Sequence, residues 1–348
     1  MVLGGPAFSI MPERIMAELA GDYGVVGEGE AAVVEIARAV EEGRELSPPI
    51  ISSAIASYPR LAVSYEPSVV DFYLKNGGML NLQTKRGCPH RCSYCSYPLL
   101  EGCRYRFRDP EEVACEMARL ARDFSAPYIF FTDSVFNDQQ GRYLEVAEAL
   151  IRNGNKTPWC AFFRPAGMGR EEFALLKESG LAAMEVGTDA TSDTTLAALG
   201  KDFTVDEVVD FNQAAARAGV PCAHFVIFGG PDEAEHTVEE GIANMARLTG
   251  SVVFAFSGIR VLPDTRLYDR AVGDGVLAPD QDLLTPFFYF SPTVDRRGME
   301  RRLKDAWQGD LRRIFPASSM QERISHLHAK GHVGPLWDML CRMGGGRG

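Results

Sequence analysis

Gly87-Cys88-Pro89-His90-Arg91-Cys92-Ser93-Tyr94-Cys95 sets three thiols on one short loop, directly after Leu82 to Arg86, which reads as a strand. Three soft ligands suit an iron-sulfur cluster or zinc and leave one coordination position open. A structural zinc site wants a fourth Cys or His. His90 inside the loop or Cys103 beyond it would supply one, so counting alone leaves both metals open. The other cysteines, Cys103, Cys115, Cys160, Cys222 and Cys341, are scattered among apolar neighbours and read as small core hydrophobes. Without a secretory leader they do not suggest a disulfide framework.

Outward from that loop, residues 80 to 275 alternate short apolar runs with helical periodicity, the pattern of repeated βα units on a parallel sheet. The strands expected are Leu82 to Arg86, Pro127 to Asp133, Pro158 to Phe163, Ala182 to Gly187, Cys222 to Phe228 and Val252 to Ser257. Between them, apolar stripes such as Val113, Met117, Leu120 and Val208, Phe211, Ala215 mark helices that face a sheet. Asp109 before Pro110, Thr204 before Glu207 and Thr237 before Glu240 read as helix caps. Six such units predict an α/β fold, a partial (β/α)6 TIM-like barrel whose chemistry lies at the carboxyl ends of its strands.

The flanks read differently. Residues 1–45 look like a remnant of a doubly wound α/β domain, 46–80 like a Pro- and Ser-containing connector, 81–278 like the barrel, and 279–348 like a helical extension with Phe287 to Phe290 at its start. Over 348 residues, 36 basic against 47 acidic side chains give a net charge of -11, which argues against a general nucleic-acid binder. No apolar run approaches the ~18 residues that cross a bilayer, so no transmembrane segment and a cytoplasmic setting are expected.

On these residues the chain resembles the radical S-adenosylmethionine (SAM) superfamily, whose hallmark is CxxxCxxC with an aromatic residue, here Tyr94, before the last Cys. The resemblance implies a [4Fe-4S] cluster held by Cys88, Cys92 and Cys95, with SAM chelating the fourth iron and cleaved to a 5′-deoxyadenosyl radical. It also implies SAM contacts in strand order. Asp133 and Ser134 would meet the methionine end, although the usual Gly-Gly-Glu run is absent. Asp189, in Glu185-Val-Gly187-Thr-Asp189, stands where the acidic residue facing the ribose is expected. Ile227, Gly229 and Gly230, in Ile227-Phe-Gly229-Gly230-Pro-Asp-Glu233, would lie beside the adenine. Arg260 closes the sixth strand, and Arg164 and Lys201 recur in the cobalamin-associated branch of the superfamily. Glu185 shares a strand face with Gly187, which suits either the barrel interior or a structural ion pair.

Gly4-Gly5-Pro6 and Val25-Val-Gly27-Glu28-Gly29-Glu30 resemble the closing part of the cobalamin-binding domain of that branch. With only this truncated part present, cobalamin is not expected as a cofactor of the chain itself. The leading expectation is a radical SAM enzyme that abstracts hydrogen from, or adds to, a small organic substrate: a specialised metabolite, a nucleoside or sugar derivative, or a lipid precursor. One alternative is a radical SAM methyltransferase using cobalamin supplied by a separate chain. Another is a non-enzymatic iron-sulfur or zinc protein. A flavodoxin or ferredoxin is the expected electron donor.

Overall fold

The computed structural model describes residues 1–53, 63–165 and 167–343, and the chain divides into two compact units. One combines the described part of Met1–Ala62 with Lys85–Phe107 and Arg260–Phe287; the other combines Val63–Thr84, Arg108–Ile259 and the described part of Phe288–Gly348.

The larger unit is built on a seven-stranded sheet in the order Leu80–Leu82, Ile129–Phe131, Trp159–Phe163, Leu181–Asp189, Cys222–Phe228, Val252–Ser257, Arg313–Ile314, with every pair parallel. This is the partial barrel expected from the βα alternation, and its strands lie in chain order because each crossover helix returns the chain to the next position. Side chains alternate between two cores. On the helix-covered face, Phe131, Trp159, Phe163, Met184 and Val186 pack with Val113, Met117, Leu120, Leu150, Phe173 and Phe211 of the helices. Trp159 is fully buried, meets Phe131 edge-on with ring centroids 5.2 Å apart, and donates its indole N–H to the Ser179 carbonyl at 3.1 Å. On the opposite face Cys160, Ala183, Ala223, Val252 and Phe254 are sealed by Met320 and Leu340 from the C-terminal residues.

Three local features depart from expectation. The first strand stops at Leu82, because Thr84 turns the chain by giving its N–H and hydroxyl to Asp133; Lys85–Arg86 instead pairs antiparallel with Arg106–Phe107 in the smaller unit. The C-terminal extension is not purely helical, since Arg313–Ile314 adds the seventh strand. The segment taken as connector contains the strand Ile50–Ser53 and the helix Pro67–Gly77, while its residues 54–62 lie outside the described ones. That helix buries Val70 and packs Leu74, an apolar face too sparse to register as a stripe.

Asp109 and Thr204 cap their helices as expected, Thr204 in a reciprocal box with Glu207. Thr237 lies three residues inside its helix rather than at the start, where its hydroxyl accepts from the Ala234 N–H at 2.9 Å.

The smaller unit carries a parallel three-stranded sheet, Val2–Leu3, Tyr23–Gly27 and Ile50–Ser53, with a core of Val25, Ala32 and Ile36. No helix among the described residues is long and apolar enough to cross a membrane.

Behind the larger sheet, His224 is wholly buried between the Thr188 hydroxyl, 2.8 Å from Nδ1, and the Asn212 amide oxygen, 3.0 Å from Nε2. Asn212 spends its NH2 on the Thr249 carbonyl, so its oxygen faces His224 and the ring donates from Nε2. Burial, aided by the Arg313 charge, pushes the imidazole down from 6.5 to about 3 and keeps it neutral. The unfolded chain therefore takes up this proton near pH 6.5 and the folded one does not. The contribution is fully present above pH 6.5 and is lost as pH falls towards 3. His224→Gln is expected to cost about 1–3 kcal/mol at pH 7.5. In denaturant titrations the gap to the parent should narrow as the buffer is taken to pH 5; a gap independent of pH contradicts the assignment.

Candidate functional site

In the smaller unit, Cys88 is 5% exposed and Cys92 and Cys95 are half-buried; all eight cysteines of the chain are thiols rather than disulfides. The loop is held through its backbone groups. Gly87 N–H donates to the Glu101 carboxylate at 2.9 Å, and Cys88 N–H to the Gly102 carbonyl at 3.0 Å. Further along, the Ser93 carbonyl accepts from Leu267 N–H at 2.8 Å and the Arg91 carbonyl from the Arg266 guanidinium. Gly87 has to be glycine, with φ +87° and a Cβ that would lie 2.0 Å from the Arg104 carbonyl oxygen.

This donor set fits an iron-sulfur cluster. Three thiols share one loop, and the Ser93 hydroxyl between them is buried with no hydrogen-bond partner among the described residues, a donor that cluster sulfur would accept. Cys103 is exposed, and Tyr94 is half-buried.

In the larger unit, the carboxyl ends of the third and fourth strands are joined by charge. Lys201, 9% exposed, ion-pairs with Asp189; its neighbour Asp202 pairs with Arg164, whose guanidinium also lies 5.2 Å over the Phe203 ring. Arg164 is held from behind by Asn137, which accepts from its N–H and donates to its carbonyl, both at 2.9 Å. Asp189 has φ +64°, and the register shifts so that Val226 faces Asp189 while Phe225 faces Gly187. The extra residue re-aims the carboxylate, as bulges beside sites do.

The remaining expected residues are spread along the strands. Asp133 is fully buried with its carboxylate on Thr84, so it ties the second strand to the turn that leaves the first, and Ser134 beside it is half-buried. Glu185 is half-buried, in register with Phe162 and Ala223, and raises the pKa of the buried Cys160 thiol, after the larger effect of burial. Ile227 is half-buried, while Gly229 and Gly230 are buried. Arg260, in the smaller unit, is exposed.

Two participants were missed by sequence reasoning. Asp202 is one; only its position beside Lys201 gave any signal. Glu233, 1% exposed, is the other: its carboxylate accepts from the N–H groups of Gly229 and, at 3.0 Å, Gly230, and so holds the turn that follows the fifth strand. Burial raises this carboxyl from 4.5 to about 7 although both amides pull it down. A raised carboxyl binds its proton more tightly when folded, so its contribution is full below pH 4.5 and is lost as pH rises through 7. Glu233→Gln keeps an acceptor for the two amides and should flatten the fall in thermal stability between pH 5 and 8. Glu233→Ala strands both amides and should cost about 1–3 kcal/mol at either pH. A Gln variant with the parent's pH profile would show that the carboxyl is not titrating there.

Residues 82–243 match the family model of the radical SAM superfamily. An uncharacterized methyltransferase of Pyrococcus horikoshii is 28% identical over 80% of this chain, and a tryptophan 2-C-methyltransferase of Streptomyces laurentii is 24% identical over 76%. The chain spans 64% and 57% of their lengths. Two structures of the radical SAM methyltransferase TsrM from Kitasatospora setae superpose on 98% of this chain, covering 80% and 79% of TsrM, with TM-scores of 0.81 and 0.77 and identities of 21% and 23%. The second of these holds cobalamin as well as a [4Fe-4S] cluster. That overturns the expectation that cobalamin is not a cofactor of the chain itself, since a structure that superposes on 98% of the chain holds it. Residues 82–243 thus match the radical SAM superfamily, and the fold of nearly the whole chain is similar to that of a radical SAM methyltransferase.

Proposed function

We propose that this chain is a radical SAM methyltransferase that acts on a small organic substrate and draws on cobalamin. The observation that carries the reading is the three-thiol loop with its orphaned Ser93 hydroxyl, in a chain whose fold and relatives run to methyltransferases. When bound, the groups supply an electron that cleaves the SAM sulfonium and a cobalt centre that carries methyl. Cys88, Cys92 and Cys95 hold the cluster. Asp189 accepts from the ribose hydroxyls, with the Lys201 ion pair keeping it aimed. Gly229 and Gly230 present backbone to the adenine because Glu233 holds their amides. Arg164 and Ser134 face the polar end of SAM.

The substrate binds on the inner sheet face. Phe162 and Phe256 are 37% and 43% exposed there, with Phe130 edge-on to Phe162 and Phe225 stacked on Phe254. These rings favour an apolar substrate, oriented by Glu185 as the acidic group among them. We place the reaction in the cytoplasm, with a flavodoxin or ferredoxin as electron donor.

Two measurements test this reading. Asp189→Asn should weaken SAM binding by about 10- to 100-fold in equilibrium dialysis, the worth of hydrogen bonds to a charged acceptor; unchanged affinity removes Asp189 from the site. The protein, reconstituted with iron and sulfide without oxygen, is then given SAM and reductant with and without added cobalamin, and S-adenosylhomocysteine and 5′-deoxyadenosine are quantified beside a Cys88→Ala control. S-adenosylhomocysteine that rises with cobalamin is the expected result. Deoxyadenosine alone points to hydrogen abstraction instead, and neither product from a fully assembled cluster overturns radical chemistry.

A further inference from the structure

We propose that Glu28 is a positioning residue for the cluster loop, which gives the Gly27-Glu28-Gly29-Glu30 segment a mechanical task in iron-sulfur binding. The inference rests on the reading that Cys88, Cys92 and Cys95 hold the cluster. Glu28 is 8% exposed, and two guanidinium groups converge on its carboxylate. Arg86 donates to Oε2 at 3.1 Å, and Arg106 is bidentate, reaching Oε2 at 3.0 Å and also Oε1. Glu30 takes another nitrogen of Arg86 at 2.6 Å, so two acids face two bases.

Those arginines are paired with each other in the antiparallel ladder that brackets the loop, Lys85–Arg86 against Arg106–Phe107. Arg86 is two residues before Cys88. Arg106 also donates to the Glu101 carbonyl at 2.8 Å, and the Glu101 carboxylate holds the Gly87 N–H. A continuous set of contacts therefore runs from Glu28 through both rails of the ladder to the backbone of Gly87, the residue before the first ligand. Two like charges brought side by side in a half-buried ladder repel unless an anion lies between them, and Glu28 is that anion. Its flanking glycines leave the segment free of side chains beside it, and Gly27 has φ +86°.

The test replaces Glu28 by Gln, which keeps the shape and removes the charge, and compares the reconstituted variant with the parent and with Glu35→Gln, an exposed charge of the same unit. The readouts are iron and sulfide per chain, the electron paramagnetic resonance spectrum of the reduced cluster, and its rate of loss to a chelator. Loss about 10-fold faster or more, with circular dichroism and chain recovery unchanged, is the expected result, in the range seen when partners that orient metal ligands are removed. Glu28→Asp should recover part of it. If Glu28→Gln does not fold, Arg106→Lys, which keeps the charge but gives up the bidentate grip, should reproduce the faster loss. Parent-like content, spectrum and loss rate in the folded variants overturn the proposal. A parent that takes up no iron overturns the cluster reading itself, and the two failures are distinct.

Discussion

Seven strands running parallel impose one constraint from which most of this molecule follows. Parallel neighbours need a crossover at every step, so both faces of the sheet are buried over much of their length and every strand delivers its carboxyl end to the same edge. Hence the large apolar side chains, Trp159, Phe131 and Phe163 among them, lie under helices, and polar side chains cluster where strands stop. Asp133, Arg164, Asp189 and Glu233 all stand within a few residues of such an end.

Charges at those ends are almost all spoken for by another side chain or by backbone. Lys201 meets Asp189, Arg164 meets Asp202, Asp133 meets Thr84, and Glu233 meets two glycine amides. Removing a single partner from a buried pair leaves an uncompensated charge, which is costlier than losing the pair altogether. Such pairs add little net stability but fix where a carboxylate points, a useful property where a ligand's hydroxyls must be met at a set position.

Much of this was legible in the sequence because the signals were local. Apolar alternation and stripes gave the strands and helices, Asp109 and Thr204 gave two helix starts, and the Cys88, Cys92, Cys95 spacing gave the loop. What escaped was set by partners distant in sequence. Arg313–Ile314 is a two-residue strand whose identity comes from its neighbour Val252–Ser257. Leu82 ends its strand because Asp133, 49 residues away, takes the Thr84 N–H. Glu233 looked like the tail of a turn motif, and only its burial reveals what it holds.

The N-terminal segment illustrates the same limit from the other side. Residues 1–45 form a short segment, and one apolar cluster within it holds Val25, Ala32 and Ile36. A fragment of that size gains little from hydrophobic burial, so what orders it must include polar contacts that outlast solvent competition. Glu28 with Arg86 and Arg106 meets that condition, since all three side chains are shielded and one grip is bidentate. The same contacts that order the fragment also restrain the backbone entering the thiol loop. A fold in which stability and ligand geometry draw on one ion cluster cannot exchange that cluster for apolar packing without releasing the loop.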